Sequence, residues 1–318
     1  MICIHPRLSA AKYLTLCIVI LIFCATSLLA QTKFDFGPGA EKNIYNPETS
    51  YGLSRANRLE IARYLIEIYD ASQINMPQSI NPKLPTIFVV GDSTANNNAN
   101  GGLGWGDPFI ELFDTTKVNV LNRARAGRSS RTFITQGLWD NVLSEMKRGD
   151  LVLIQFGHND AGAINDASRA RGSLGGTGEE TQEIDNLLTK EHEVVHTYGW
   201  YLRKMIADTK AKGAIPIILN LTVRNIWKDG RVERGSGKFG QWANEVAASQ
   251  HVMFVDVTKL IADKYEQLGE ARVKELFATD HTHTNPAGAE LNASLILTGL
   301  EAIKGKQLDR LLNHRLHR

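Results

Sequence analysis

The stretch Thr86-Ile87-Phe88-Val89-Val90-Gly91-Asp92-Ser93-Thr94 decides the fold. Its apolar run is short enough for one strand, and no polar residue interrupts Ile87 to Val90 to mark a face open to water. A run of that kind reads as a strand covered on both faces, the habit of parallel sheets. It stops at a glycine followed by Asp-Ser-Thr, which is turn chemistry. Similar runs recur at Val118–Leu121, Leu151–Phe156, Ile215–Leu221 and Val252–Val255, each bounded by Gly, Asp, Asn or Lys. Amphipathic stretches, Trp139–Lys147, Val194–Lys210, Trp242–Ser249 and Pro286–Leu300, separate or follow them. Strands alternating with helices predict an α/β protein, a three-layer α/β/α sandwich on a parallel sheet of about five strands. The domain is expected over residues 86–304, with no internal repeat and with 305–318 as a C-terminal tail. Gly162–Thr181, rich in glycine, is expected to be the longest loop, and such loops are commonly functional or mobile.

Upstream of β-type sequence the character differs. Arg7 and Lys12 precede an apolar run from Tyr13 to Cys24 that weakens towards Ala30. A positive start, an apolar centre and a small residue at the end predict a signal peptide over 1–30. The product would be secreted or periplasmic, with no membrane association after cleavage. Cys24 also raises a lipoprotein anchor, although bulky Phe23 stands before it. All three cysteines (Cys3, Cys17 and Cys24) fall in this segment, so the mature chain has no disulfide and no thiolate chemistry. Residues 31–85 form an extension and linker, with Arg58–Tyr69 expected to be helical and Pro77, Pro82 and Pro85 near the domain.

Composition narrows the function classes. The 318 residues are 43% hydrophobic and 22% charged, as in ordinary globular proteins. Lys and Arg number 36 against 34 Asp and Glu, and Arg7 and Lys12 are the only charges in the first thirty residues. The remainder is therefore balanced, which argues against a nucleic-acid or anionic-membrane binder.

Ligands of open α/β sheets bind beyond the carboxyl ends of the strands. Four polar groups are placed there by the strand assignment: Gly91-Asp92-Ser93-Thr94, Ala126-Gly127-Arg128-Ser129-Ser130, Gly157-His158-Asn159-Asp160 and Asp280-His281-Thr282-His283. A serine hydroxyl is a weak nucleophile that needs a base, itself oriented by a third group. Ser93, on a strand-to-helix turn, is the candidate nucleophile, His283 the base, and Asp280 the group that fixes its tautomer. The oxyanion formed on attack at an ester carbonyl needs preorganised donors. The Ser93 N–H, the Gly127 N–H and the Asn159 amide are the candidates. Each has a plainer reading: Gly-Asp-Ser is a common turn, Gly127 suits a positive φ, and Asn159 and Asp160 suit helix caps. His281 is a rival base. His281 with His283 also raises a metal, but no further ligand cluster accompanies them, so neither metal nor cofactor is expected.

Together, the four groups resemble the blocks of the SGNH (GDSL-like) hydrolase superfamily, over residues 86 to about 300. Gly104-Trp105-Gly106, Ala126 to Phe133 and Asp280-His281-Thr282-His283-Thr284-Asn285 are similar to its rhamnogalacturonan acetylesterase branch. The resemblance implies a flavodoxin-like fold, no metal, and removal of acetyl groups from pectin backbones. By the same match Ser93, Asp280 and His283 form the triad, and Gly127 and Asn159 complete the oxyanion hole. The extension before residue 84 and the insert after Asn159 depart from a minimal member. The alternatives are an esterase acting on acetyl-xylan or a small acetylated molecule, and a silent carbohydrate-binding protein.

For the substrate, Arg123, Arg125, Arg128 and Arg131 lie beside the expected oxyanion hole. Guanidinium forks match carboxylates, so Arg128 is a candidate contact to galacturonate. The opposing reading is internal pairing with Asp107, Asp114 or Asp140. Trp105, between two glycines next to the nucleophile turn, is a candidate sugar-stacking platform.

Overall fold

A computed structural model describes residues 80–316 apart from 236, 304 and 305. The signal peptide expected over 1–30, the helix expected at Arg58–Tyr69 and the extension up to residue 79 lie outside the described residues. Those described belong to the unit formed by residues 71–318.

Strand β1 (Thr86–Gly91) leads through the short helix α1 (Gly106–Ile110) to β2 (Asn119–Asn122). Helices α2 (Ser130–Thr135) and α3 (Leu138–Glu145) precede β3 (Leu151–Gln155). A hairpin of β4 (Thr181–Asp185) and β5 (His192–His196) comes before helix α4 (Tyr198–Ala211) and β6 (Ile215–Leu219). A small ribbon, β7 (Trp227–Lys228) and β8 (Arg231–Val232), is followed by α5 (Phe239–Ser249) and β9 (Met253–Val255). Helices α6 (Val257–Leu268), α7 (Glu270–Lys274), α8 (Pro286–Ala302) and α9 (Lys306–Leu312) close the chain.

Five strands form one parallel sheet in the order β2-β1-β3-β6-β9. The chain goes outward from β1 to β2 and then returns to the other side of β1, so the connections diverge at the carboxyl ends of β1 and β3. That divergence opens a crevice in doubly wound sheets, and this strand order is the flavodoxin-like one.

Each central strand feeds two cores, because successive side chains point to opposite faces. Ile87, Val89, Leu151, Leu153, Ile217 and Leu219 pack on one side with Phe109, Ile261, Ala293, Ile296 and Leu300 from α1, α6 and α8. Phe88, Val90, Val152, Ile154 and Ile218 pack on the other with Trp139, Leu202, Met205, Ala243 and Val246 from α3, α4 and α5. Both faces are thus dry, which explains the uninterrupted apolar runs.

Two expectations change and one helix is added. The helix expected from Val194 begins only at Tyr198, where the Thr197 hydroxyl accepts from the Trp200 N–H at 3.1 Å as an N-cap. The residues before it are β5, paired antiparallel with β4. The region 257–268 is helical, opened by Asp256, whose Oδ1 accepts from the Lys259 N–H. The expected tail is part of the domain: Leu308, Leu311 and Leu312 of α9 are at most 3% exposed. Burial of a leucine contributes roughly 1.5–3 kcal/mol, enough to fix the segment. The glycine-rich loop stays irregular from 156 to 180, apart from a bridge between Leu174 and Thr197.

Candidate active site

The turn after β1 aims Ser93 by closing tightly behind it. Gly91 lies so near β3 that a Cβ would come 2.7 Å from the Gln155 carbonyl oxygen. Asp92 is fully buried, and its Oδ1 accepts from both the N–H and the hydroxyl of Thr94, at 2.9 and 2.8 Å. The N–H groups of Ala95 and Asn96 donate to the Asp92 carbonyl, each at 3.1 Å. Ser93 projects from the outside of this turn, partly exposed. No regular helix follows, contrary to expectation. The turn runs into a loop that packs on itself before α1, so no helix dipole bears on Ser93.

His283 arrives from the segment before α8. Its Nε2 accepts from the Ser93 hydroxyl at 2.8 Å, and its Nδ1–H donates to Asp280 Oδ2 at 2.6 Å. The other oxygen of Asp280 accepts from the Thr282 and His283 N–H groups at 2.7 and 2.8 Å. An ionised carboxylate only accepts hydrogen bonds, so it fixes the tautomer with the proton on Nδ1. Partial burial pushes the Asp280 carboxyl upward, but the His283 ring and the two backbone N–H bonds outweigh it, and its pKa is lowered. The segment is held by Asn285, which caps α8 with its Oδ1 on the Gly288 N–H, and by Pro286 at the first helical position. His281 turns elsewhere: its Nδ1 meets the Thr282 hydroxyl at 3.0 Å, and its carbonyl accepts from the Asn225 N–H.

The expected oxyanion donors are held by equally specific contacts. Gly127 has φ +76°, a left-handed conformation that favours glycine. Neither its N–H nor that of Ser93 meets an acceptor among the described residues. The Asn159 amide donates one hydrogen to the Arg128 carbonyl at 2.9 Å, which orients the group and leaves its second hydrogen available. Asp160, beside it, ties the segment to α2 and to the glycine-rich loop. It accepts from the N–H and hydroxyl of Ser130 and, at 3.0 Å, from the Ser173 hydroxyl. Complete burial raises its pKa to about 6 despite these bonds.

Two residues near the chemistry carried no role in the sequence reading. His158 is buried with Nε2 3.1 Å from the Thr222 hydroxyl. Desolvation dominates in lowering its pKa to about 4, with the Asp92 charge opposing and Arg224 and His283 adding to the depression. Arg171, from the glycine-rich loop, donates from Nη1 to the Gly127 carbonyl at 3.1 Å. No local motif marks Arg171, because its partner lies 44 residues away.

The expected substrate contacts fare differently. Trp105 is fully buried and cannot stack on a sugar. A Cβ on Gly104 would lie 2.3 Å from the Ala95 carbonyl carbon, and one on Gly106 would lie 2.7 Å from the Ala95 oxygen, so the flanking glycines seat the loop against the nucleophile turn. The indole N–H donates to Gln155 Oε1 at 2.8 Å, and the ring meets Phe109 edge-on. Arg123 pairs with Glu145, and the fully buried Arg131 pairs with Glu193. Arg128 is partly exposed, its Nε donating to Gln136 and its Nη1 to the Ala126 carbonyl. Its guanidinium is thus engaged by its own neighbourhood. Among the described residues no cluster of three or more His, Cys, Asp or Glu could hold a metal.

A hydroxyl, an imidazole and a carboxylate in line, with free N–H groups beside the hydroxyl, can carry acyl transfer through serine. Comparison with known proteins agrees with that chemistry. The GDSL-like lipase/acylhydrolase family matches residues 89–291. A rhamnogalacturonan acetylesterase of Emericella nidulans is 32% identical over 212 residues, covering 67% of this chain and 83% of the relative. The rhamnogalacturonan acetylesterase RhgT of Bacillus subtilis is 26% identical over 235 residues, covering 68% and 90%. Among solved structures, the Bacillus subtilis protein YxiM superposes with TM-score 0.54 and 25% identity, over 69% of this chain and 56% of that one.

Proposed function

Because the chain belongs to the GDSL-like lipase/acylhydrolase family, a family of carboxylic ester hydrolases, we propose that it removes O-acetyl groups from plant cell-wall polysaccharide, with acetylated rhamnogalacturonan as the substrate. The observation that carries the reading is the unbroken line from Ser93 Oγ through His283 to Asp280, at 2.8 and 2.6 Å. The relatives named above supply the choice of polymer.

In the first half-reaction His283 Nε2 takes the Ser93 proton as Oγ attacks the acetyl carbonyl carbon. The oxyanion forms against the N–H groups of Ser93 and Gly127 and the second amide hydrogen of Asn159. The tetrahedral species collapses by breaking the carbon–oxygen bond to the sugar, and His283 returns its proton to the sugar oxygen. In the second half-reaction His283 takes a proton from water, hydroxide attacks the acetyl-Ser93 carbonyl, and acetate leaves as Ser93 regains a proton. Asp280 keeps the tautomer and stabilises the imidazolium throughout. The signal-like first thirty residues support placing the enzyme outside the cytoplasm, where polysaccharide is met.

Acetate release from acetylated rhamnogalacturonan, with Ser93→Ala as control, tests the reading. Release by the wild type and none by a folded Ser93→Ala protein is expected. Retained turnover in the variant removes Ser93 from the chemistry. Release from acetylated xylan alone replaces the polymer while keeping the mechanism.

A further inference from the structure

A carboxylate-bearing polymer needs a cation at the site, and the arginines beside the oxyanion hole are already engaged. Arg123 and Arg131 are in ion pairs, and Arg128 is bound by Gln136 and Ala126. The chain supplies a different guanidinium from the opposite side of the crevice.

Strand β6 ends at Leu219, and the chain continues past the carboxyl edge through Asn220, Leu221, Thr222 and Val223, all buried. The path is tightly pinned. Gln155 donates to the Asn220 carbonyl at 2.9 Å, the Thr258 hydroxyl to the Leu221 carbonyl at 2.6 Å, and the Thr222 hydroxyl meets His158. Arg224 is the first residue of the segment to emerge, and it is partly exposed. Immediately after it, the Asn225 N–H donates to the His281 carbonyl at 2.7 Å, and the Asn225 side chain accepts from the Trp227 indole at 2.8 Å. Arg224 therefore stands where the strand edge meets the segment that carries Asp280 and His283.

Its charge reaches the same neighbourhood. The His158 ring, 3.1 Å from the Thr222 hydroxyl, lies within electrostatic reach of Asp92, Arg224 and His283. Yet the Arg224 Nε–H is buried and meets no acceptor among the described residues. Its two Nη groups, at the partly exposed end of the side chain, form no hydrogen bond or ion pair among the described residues, so the outer edge of the fork is open to an incoming acceptor. Arg203 and Arg234, also on the later half of the chain, are by contrast paired with Glu179 and with Asp263 and Glu266.

We propose that Arg224 is a specificity-determining residue that binds a uronate carboxylate of the polysaccharide, next to the acetylated sugar held at Ser93. The chemistry suits this ligand: a planar fork pairs with a carboxylate through two parallel N–H···O bonds, and no acidic side chain among the described residues pairs with this guanidinium. The inference rests on the acetylated-polysaccharide reading above and adds which residue selects an acidic polymer over a neutral one.

The test compares two acetylated rhamnogalacturonan oligosaccharides, one with free galacturonate carboxylates and one with the same carboxylates methyl-esterified. The wild type is expected to favour the free acid by tenfold or more in kcat/KM. In Arg224→Gln that preference falls to about one, mainly through KM for the acid, and Arg224→Lys keeps part of it. Raising salt increases the wild-type KM for the acid and leaves the ester unaffected, a reading that needs no variant. An unchanged preference in a folded Arg224→Gln protein overturns the assignment, as does an equal loss on both substrates, which marks a structural role. Absence of any wild-type preference overturns it even where the variants do not fold. Wild-type turnover of acetylated xylan but of neither uronate substrate sinks the polymer reading and this assignment together. Turnover of both uronate substrates with the preference unmoved by substitution sinks the assignment alone.

Discussion

His283 Nε2 and Ser93 Oγ lie 2.8 Å apart although 190 positions separate them in the chain. The contact depends on Asp280, which holds the imidazole by its Nδ1–H and holds its own loop by two backbone bonds. Asp280→Asn keeps an acceptor for one tautomer but offers an amide N–H group to the other, and it removes the charge that stabilises the imidazolium. A loss in kcat of about 10³–10⁴ with little change in KM is expected, the scale of such substitutions in serine triads. The pKa of Asp280 is lowered, so its contribution is present above the unfolded value and is lost only as pH falls through the folded one. Activity lost between pH 7 and 5 therefore comes from another group. A kcat within tenfold of wild type in Asp280→Asn removes the orienting role.

Gly127 carries a second prediction, which separates backbone from side-chain effects. A Cβ there meets only Arg171 Nη1, at 3.6 Å, so space is not the obstacle. The obstacle is φ +76°, which costs a non-glycine residue roughly 1–2 kcal/mol. Gly127→Ala relieves that strain by rotating the N–H away from the oxyanion position. Loss of one such donor costs about 10²–10³ in kcat. The expected signature is a kcat defect of that order with a stability loss near 1 kcal/mol, from parallel kinetics and urea titration. Normal kcat in the alanine variant excludes the Gly127 N–H as a donor.

The sequence is legible where one short segment carries its own explanation. The strands announce themselves because β1, β2 and β3 are dry on both faces and β6 nearly so, and Asp280 and His283 because three residues suffice to set their bond. Partners distant in sequence defeat the reading. Trp105 looks like an exposed platform between glycines until Gln155, fifty residues on, is seen to accept its N–H. Arg131 looks like a substrate contact until Glu193 is seen 62 positions away. Hairpin β4–β5 buries only Ile184 and Val195, so it lacks the apolar alternation that marks a strand. Helix α9 had a readable signal, Leu308, Leu311 and Leu312 at helical spacing, but the core it joins is built by residues far upstream.

Gln155 ties three of these parts together. Its Oε1 accepts from Trp105 Nε1 and lies 3.2 Å from the Thr94 hydroxyl oxygen, while its Nε2 donates to the Asn220 carbonyl. Gln155→Leu keeps the volume but leaves a buried indole N–H and a buried carbonyl unpaired. Each such orphan costs about 1–3 kcal/mol, so a loss of about 2–5 kcal/mol in chemical denaturation is expected. Stability within 0.5 kcal/mol of wild type, on the scale of a neutral surface change, refutes the network.

His158 and Asp160 make opposing contributions to acid stability. The folded His158 pKa of about 4 lies below its ordinary value of 6.5, so the unfolded chain takes up a proton that the folded one refuses. Its stabilisation is full above pH 6.5 and is lost as pH falls towards 4, by about 3 kcal/mol at most. Asp160 has a folded value of about 6 against 3.8, so its burial is unfavourable above pH 6 and that cost is relieved as pH falls to 3.8. In the wild type the two nearly cancel. His158→Asn should therefore gain stability relative to wild type between pH 7 and pH 4, and Asp160→Asn should lose it. Urea midpoints at the two pH values measure this, and parallel shifts in all three proteins contradict it.

The last prediction concerns how the glycine-rich loop is held beside Gly127. Arg131 is fully buried, with Nε and Nη2 on the two oxygens of Glu193 and Nη1 on the carbonyls of Ile164 and Gly172 at 2.7 Å. Beside Gly172, Arg171 reaches the Gly127 carbonyl. Arg131 thus connects strand β5 to the loop, and Arg171 connects the loop to Gly127, the proposed oxyanion donor. Glu193→Ala leaves a buried cation without its partner, a change that typically costs about 3–5 kcal/mol. To escape that cost the arginine must turn towards water, which releases both loop carbonyls and loosens the hold of Arg171 on Gly127. Limited proteolysis should therefore cut between residues 162 and 172 at protease levels the wild type survives, and kcat should fall in the same protein. Replacing both partners, as in Arg131→Met with Glu193→Leu, removes the buried charge and should recover much of the global stability. The loop should remain cleavable, because no side chain then bonds the Ile164 and Gly172 carbonyls. Recovery of protease resistance in the double variant would show that packing, not Arg131, secures the loop.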